Sequence, residues 1–386
     1  MIIIFTTLVI AFIIGAIEWH QHKKNIKALP IRINVNGIRG KSTVTRLTTA
    51  IIKEAGYKTI GKTTGTSARM IYWDKDEEKP IIRRAEGPNI NEQKMVVKQA
   101  AQRGAEALVS ECMAVNPDYQ IVFQEKLLQA NIGVIVNVLE DHMDVMGPTL
   151  DEVAEAFIST IPYDGHLIIS EGPYVELYKA EAEKRNTKVI VADNNRIKDS
   201  FLKQFDYMVF PENASLALAV AEALDIPEET AFRGMLKAQP DPGAMRIHKI
   251  DKASYFVNGF AANDPVSTIN IWHRLEELAY PTENSIILMN CREDRVDRTI
   301  QFAEDVLPNL PTKILILIGS TPEPILNAVY SGELEVDKLL DLTGETTDEI
   351  YYKLIQMLDN HVLYGIGNIH GAAEPLIEKI QQHLEK

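Results

Sequence analysis

Apolar positions follow three regimes along the chain. Residues 1–17 (MIIIFTTLVIAFIIGAI) are almost wholly apolar, and Glu18, Trp19, His20, Lys23 and Lys24 follow. A spanning helix needs about 20 apolar residues and tolerates about 17, and tryptophan suits the membrane interface. No basic residue precedes the run and no small-residue cleavage site closes it, which disfavours a cleaved signal peptide. The lysines come after it, so the positive-inside rule predicts a cell-membrane anchor with a cytoplasmic body. A buried or interfacial helix is the other reading. Beyond residue 30, short apolar runs alternate with stretches of helical period. Strands are expected over 32–35, 107–109, 132–138, 166–169 and 189–191. Helices are expected after residue 40, with Leu47, Ile51 and Ile52 on one face and Gly56 as C-cap, and over 92–103, 151–159 and 213–224. Such alternation predicts a mostly parallel sheet. Gln239-Pro240-Asp241-Pro242-Gly243 is a strong break. After it, strands over 255–257, 286–289, 314–318 and 362–364 predict a second, smaller, Rossmann-like α/β domain. The expected organisation is an anchor (1–22), a first α/β domain (23–242) and a second (243–386).

Composition narrows the function. The 386 residues are 46% hydrophobic and 24% charged, which suits ordered domains with full cores. The net charge of −14 argues against a general nucleic-acid binder, although a local cationic groove can still take an acidic substrate. Two cysteines, Cys112 and Cys291, make neither a disulfide framework nor a zinc spacing and fit a reducing compartment.

Candidate chemistry clusters at strand ends. Gly37-x-x-Gly40-Lys41-Ser42-Thr43 follows a strand and opens a helix, two residues shorter than the usual phosphate loop. Its glycines let backbone N–H groups approach phosphate, and the helix N-terminus adds positive potential. Lys41 reaches terminal phosphates and the Ser42 hydroxyl can ligate Mg²⁺. The bland reading is an unliganded glycine-rich turn. Glu111 ends the run Leu108-Val109-Ser110 and reads equally as a metal-holding carboxylate or a solvated strand end; Cys112 beside it reads as a small buried residue. Asn137-Val138-Leu139-Glu140-Asp141-His142-Met143-Asp144 offers metal and base chemistry, or an acidic surface turn. Asn213 opens a helix and could be its N-cap. Arg246 follows the break and could be a surface residue. Arg292, Arg295 and Arg298 could bind an anionic chain or be solvated helix charge.

In this order, these motifs resemble the Mur ligase and folylpolyglutamate synthase superfamily: the phosphate loop, the strand-end glutamate, the Asn-x-x-x-Asp-His-x-Asp box, the Asn-Ala helix and the Pro-Gly-x-x-Arg junction. Within it, the anchor, residues 36–43, Arg84-Ala85-Glu86-Gly87-Pro88-Asn89-Ile90-Asn91-Glu92-Gln93 and the Asp-His box resemble the ligase subunits of poly-γ-glutamate synthases. The resemblance implies an ATP- and Mg²⁺-dependent amide ligase on a Mur-ligase central-domain-like sheet. Gly37, Arg39, Gly40, Lys41, Ser42, Thr43 and Asn137 would cradle ATP, Asn213 would contact adenine, and Arg246 would reach the nucleotide from the junction. Lys41, Glu111 and His142 would be catalytic; Ser42 and Glu111 would hold one metal and His142 a second. Arg69, Arg83, Arg84 and Arg292 would meet substrate carboxylates. Only about 30 residues precede the loop strand, which leaves no domain for a UDP-linked substrate. No lysine over 164–210 aligns with the carbamylated lysine of many Mur ligases, and residues 258–265 match the ribose-contacting motif only loosely. The implied partners are glutamate, the growing polymer and a multi-spanning membrane subunit, with no nucleic acid and with a homo-oligomer left open. A membrane-bound ATPase switch and a folate-conjugating ligase are the competing expectations; the anchor has no purpose in the second.

Overall fold

The computed structural model describes residues 2–64, 68–83, 89–205, 207–241, 245–250, 254–262 and 264–384. Two compact units emerge. The first comprises Met1–Leu202 with Val209–Pro242, the second Lys203–Met208 with Gly243–Lys386. Residues 203–208, expected in the first domain, belong to the second unit because Tyr207 bridges to Arg246 and the Met208 N–H donates to the Met245 carbonyl.

The N-terminal helix α1 (Ile2–Lys27) runs past residue 22 without a break. Its apolar part is exposed, whereas Ile26 and then Leu29 are buried in a core cluster with Phe123 and Leu128. The helix is long and apolar enough to cross a membrane.

Eight strands form the first sheet: β1 (Ile31–Asn36), β2 (Thr59–Thr63), β3 (Arg69–Tyr72), β4 (Lys79–Pro80), β5 (Ala107–Glu111), β6 (Ile132–Ile135), β7 (His166–Ser170) and β8 (Lys188–Ala192). Their order is β4-β3-β2-β5-β1-β6-β7-β8, with β3 alone reversed, pairing antiparallel with both β2 and β4. β1 is central. Val35 registers with Glu111 on β5, and Asn36 with Ile135 on β6. The carboxyl ends of three neighbouring strands therefore meet where such sheets bind ligands. Helix α2 (Lys41–Glu54) returns from β1 and buries Val44, Leu47, Ile51 and Ile52; each such side chain contributes about 1.5–3 kcal/mol by leaving water. Helix α3 (Glu92–Gln102) precedes β5 and packs beside α1. The expected strand over 132–138 stops at Ile135: one further N–H, that of Val136, still reaches the Asn36 carbonyl, and then the chain leaves the sheet.

The second unit carries β9 (Ile247–Lys249), β10 (Tyr255–Asn258), β11 (Ser285–Cys291), β12 (Ile314–Gly319), β13 (Lys338–Asp341) and β14 (Val362–Gly367). The order is β13-β12-β11-β14-β10-β9, with only β9 antiparallel. Phe256, Leu288, Ile316, Leu363 and Leu376 lie in its core.

Candidate active site

The loop between β1 and α2 owes its shape to two glycines. Gly37 takes φ +130°, and a side chain there would press on the backbone nitrogens of Val136 and Asn137, 3.0 Å from each. Gly40 takes φ +83° as the N-cap of α2, and an added Cβ would lie 2.5 Å from Asn213 Oδ1. That contact places Asn213, in the helix Pro211–Ala223, directly against the loop. L residues disfavour such φ values, so the sequence needs glycine at both positions.

Asn137 fixes the loop. Its Oδ1 accepts from the N–H groups of Ile38 (3.1 Å) and Arg39 (3.0 Å), and its Nδ2 donates to the Arg39 carbonyl (3.0 Å). The amide named from sequence as a nucleotide contact is thus occupied with loop backbone. Arg39 also pairs with Asp141 at 3.3 Å.

Lys41 Nζ donates to the carbonyls of Gly37 (2.7 Å) and Ile38 (3.1 Å), curling the ammonium into the loop. Burial lowers its pKa, with Glu111 opposing. Ser42 Oγ donates to Glu111 Oε2 at 2.8 Å, and the Thr64 N–H donates to the same oxygen at 2.8 Å. Thr43 continues the first turn of α2. Gly37, Lys41, Glu111 and His142 line one cavity of about 190 Å³. His142 adopts φ +51°, its N–H donating to Asp141 Oδ1 at 2.9 Å, which turns the chain sharply into Met143–Met146.

Three residues escaped the sequence reading. Asp241 sits beside Arg46 at 3.9 Å, and its pKa is raised by burial, Arg46 opposing and Glu111 adding to the rise. Arg46, buried on α2, ion-pairs with Glu78 and donates to the Gln239 carbonyl at 3.3 Å. Lys62 on β2 is 0% exposed, 3.2 Å from Glu92 Oε1. Burial lowers the Lys62 pKa, with Glu92 opposing. The available signals were the aspartate between two prolines and a lysine inside Thr-Ile-Gly-Lys-Thr, neither of which follows an apolar strand.

Among the expected substrate arginines, Arg83 Nε donates to Glu92 Oε2 at 3.1 Å while its buried Nη2 has no hydrogen-bond partner among the described residues. Arg69 opens β3 with its buried Nε likewise unmatched among the described residues. Arg84 lies outside the described residues. Arg246 and Arg292 belong to the second unit, where Arg292 pairs with Asp294 at 2.8 Å. Cys112 is buried, and burial pushes its thiol up to about 11, which disfavours the thiolate.

A phosphate-type loop with a serine–glutamate pair on one parallel sheet, followed by a second α/β unit, defines a Mur-type ATP-dependent ligase. Residues 35–235 match the Mur ligase middle domain and residues 245–383 the poly-gamma-glutamate synthase CapB C-terminal domain. The chain belongs to the poly-gamma-glutamate synthase CapB family. It is 65% identical over 380 residues to PGA synthase CapB of Bacillus subtilis (98% of this chain, 97% of the relative). It is 62% identical over 377 residues to the capsule biosynthesis protein CapB of Bacillus anthracis (97% and 81%). A solved bifunctional folylpolyglutamate synthase/dihydrofolate synthase of Yersinia pestis, complexed with AMPPNP and Mn ion, shares the fold at TM-score 0.62 and 13% identity, covering 93% of this chain and 91% of that one.

Proposed function

We propose that the chain polymerises glutamate through γ-carboxyl amide bonds, with ATP's terminal phosphates on the loop of residues 37–43. The observation carrying this reading is the convergence of Lys41, Ser42 and Glu111 at the carboxyl ends of adjacent strands. A carboxylate is a poor electrophile because its leaving group would be oxide. Transfer of the γ-phosphoryl group onto the chain's γ-carboxylate gives an acyl phosphate, which the amine of another glutamate attacks; the products are a γ-amide, ADP and phosphate. Lys41 and the loop N–H groups offset the charge on the transferring phosphoryl oxygens. Arg83, with its buried unmatched Nη2, is the best-supported contact for a substrate carboxylate.

Mg²⁺ suits this donor set, since it is commonly held by one or two carboxylates together with substrate phosphates. Ser42 and Glu111 offer hard oxygens beside the half-buried Asp241, and His142 stands ready for a second ion. The metal would neutralise charge between phosphate and carboxylate. Asn137 orders the loop, and Asn213 lies against it as the adenine contact.

The anchor reading places α1 in the cell membrane with the catalytic body on the cytoplasmic side, because Lys23, Lys24 and Lys27 follow the apolar run. One helix forms no channel for a polyanion, so a multi-spanning partner exports the product. The decisive experiment supplies a glutamate chain whose γ-carboxylate carries ¹⁸O. One label in the released phosphate is expected; unlabelled phosphate excludes the acyl phosphate.

A further inference from the structure

Resting on the anchor reading, we infer that the groove between α1 and α3 is a binding site for an anionic phospholipid. The groove encloses about 590 Å³, within the range of small-ligand sites. Ile14, Ile17 and Met95 form its apolar wall, and Lys94 and Lys98, one helical turn apart on α3, form its rim. Glu18 faces Lys94 at 3.2 Å, so two lysines stand against one carboxylate.

The length of α1 sets the depth of this groove. Residues 2–17 rise about 24 Å as a helix, short of a hydrocarbon layer about 30 Å thick. The next turns, where Trp19 and Lys23 lie 5.3 Å apart in a cation–π contact, are therefore drawn into the headgroup zone. The base of α1 is not a swivel: His22 Nε2 lies 3.2 Å from the Lys126 carbonyl oxygen, and Ile26 is in the core. α3 is thereby held at the same depth as the groove. Met95 is 66% exposed between the two lysines, an apolar side chain that water disfavours and an acyl chain covers. An acyl chain lies along Ile14, Ile17 and Met95 while the phosphate sits at Lys94 and Lys98. Charge complementarity selects the anionic headgroup, because a zwitterionic one offers the same phosphate with its own ammonium set against the rim lysines.

The test uses the full chain in vesicles of equal phosphatidylglycerol and phosphatidylcholine, gently extracted and weighed by native mass spectrometry. Phosphatidylglycerol should be retained preferentially. A surface lysine contributes about five-fold to anionic-lipid binding, so K94Q/K98Q should lower that preference roughly 25-fold, while K94R/K98R keeps it. A thermal transition unchanged from wild type certifies the folding of both variants. Equal retention of the two lipids by the inserted wild-type chain, or unchanged preference in K94Q/K98Q, overturns the lipid site and leaves the anchor standing. Failure to enter the bilayer overturns both. A photo-crosslinker replacing Met95 should capture lipid in native membranes; capture of a protein helix instead would overturn the lipid assignment.

Discussion

Glu92→Gln isolates the buried charge of the first sheet. Lys62 is fully buried on β2, and the Glu92 carboxylate 3.2 Å away is its counterion. Replacing that carboxylate by an amide leaves a cation without compensation, with Arg83 close by on the same partner. Breaking a buried pair from one side costs about 3–5 kcal/mol. Burial already lowers the Lys62 pKa, so deprotonation of the orphaned amine caps the penalty. For a unit of about 150–250 residues, each kcal/mol moves Tm by about 2–4 °C, so a fall of roughly 6–20 °C is expected. Removing both charges in K62M/E92Q should recover most of it, because a desolvated pair is nearly replaceable by uncharged groups. Differential scanning fluorimetry of the detergent-solubilised full chain reads all three proteins. An E92Q transition within about 2 °C of wild type, or a double variant no better than E92Q, would refute the reasoning.

Further outcomes test the site. Lys41→Ala should lower glutamate-dependent ADP release by at least about 10²–10³-fold, the typical loss of one charge-stabilising donor, with the melting transition retained because, among the described residues, the ammonium bonds to its own loop; a lost transition contradicts this. Asn137→Ala removes three loop hydrogen bonds and should raise KM for ATP far more than it lowers kcat; an unchanged KM speaks against the clamp. Burial raises the Glu92 pKa, but Arg83 and Lys62 outweigh it and hold the carboxyl below its ordinary 4.5. A folded pKa below the unfolded one gives stability that is full above about pH 4.5 and lost as pH falls through the lower folded value. The acid-side decline of Tm should therefore shrink in E92Q, and an identical decline would refute that assignment. Cys112 should resist iodoacetamide at pH 8 in the folded chain and react once unfolded, since its thiol is pushed up to about 11; rapid labelling of the native protein would contradict its burial.

Legibility from sequence followed burial on both faces of the sheets. β5, β6 and β7, and β11, β12 and β14 in the second unit, are mostly apolar runs readable as such, and β1 alternates apolar and polar residues ahead of a glycine-rich turn. The phosphate loop stood out because its glycines, lysine and serine lie together in the chain. β2, β3 and β4 did not stand out: Thr-Ile-Gly-Lys-Thr mixes polar groups into a fully buried strand, and β4 has two exposed residues. β13, Lys-Leu-Leu-Asp, is an edge strand too short to show alternation. Lys62 and Glu92 become partners only when β2 and α3 pack, and nothing in a linear reading joins positions thirty residues apart. Asn137 stands out in sequence at the head of the Asp-His box, but its grip on the Ile38 and Arg39 amides appears only once β6 lies beside β1.

The unbroken passage of α1 into the core has a mechanical outcome. Under the membrane assignment, the first unit can spin about the bilayer normal but cannot nod or drift away from it. Every catalytic cycle of that unit then starts at one altitude above the lipid, and each new amide bond is made at that same height. If the proposed export partner exists, hand-over of the lengthening polyanion would become a matter of alignment between fixtures rather than a diffusive search.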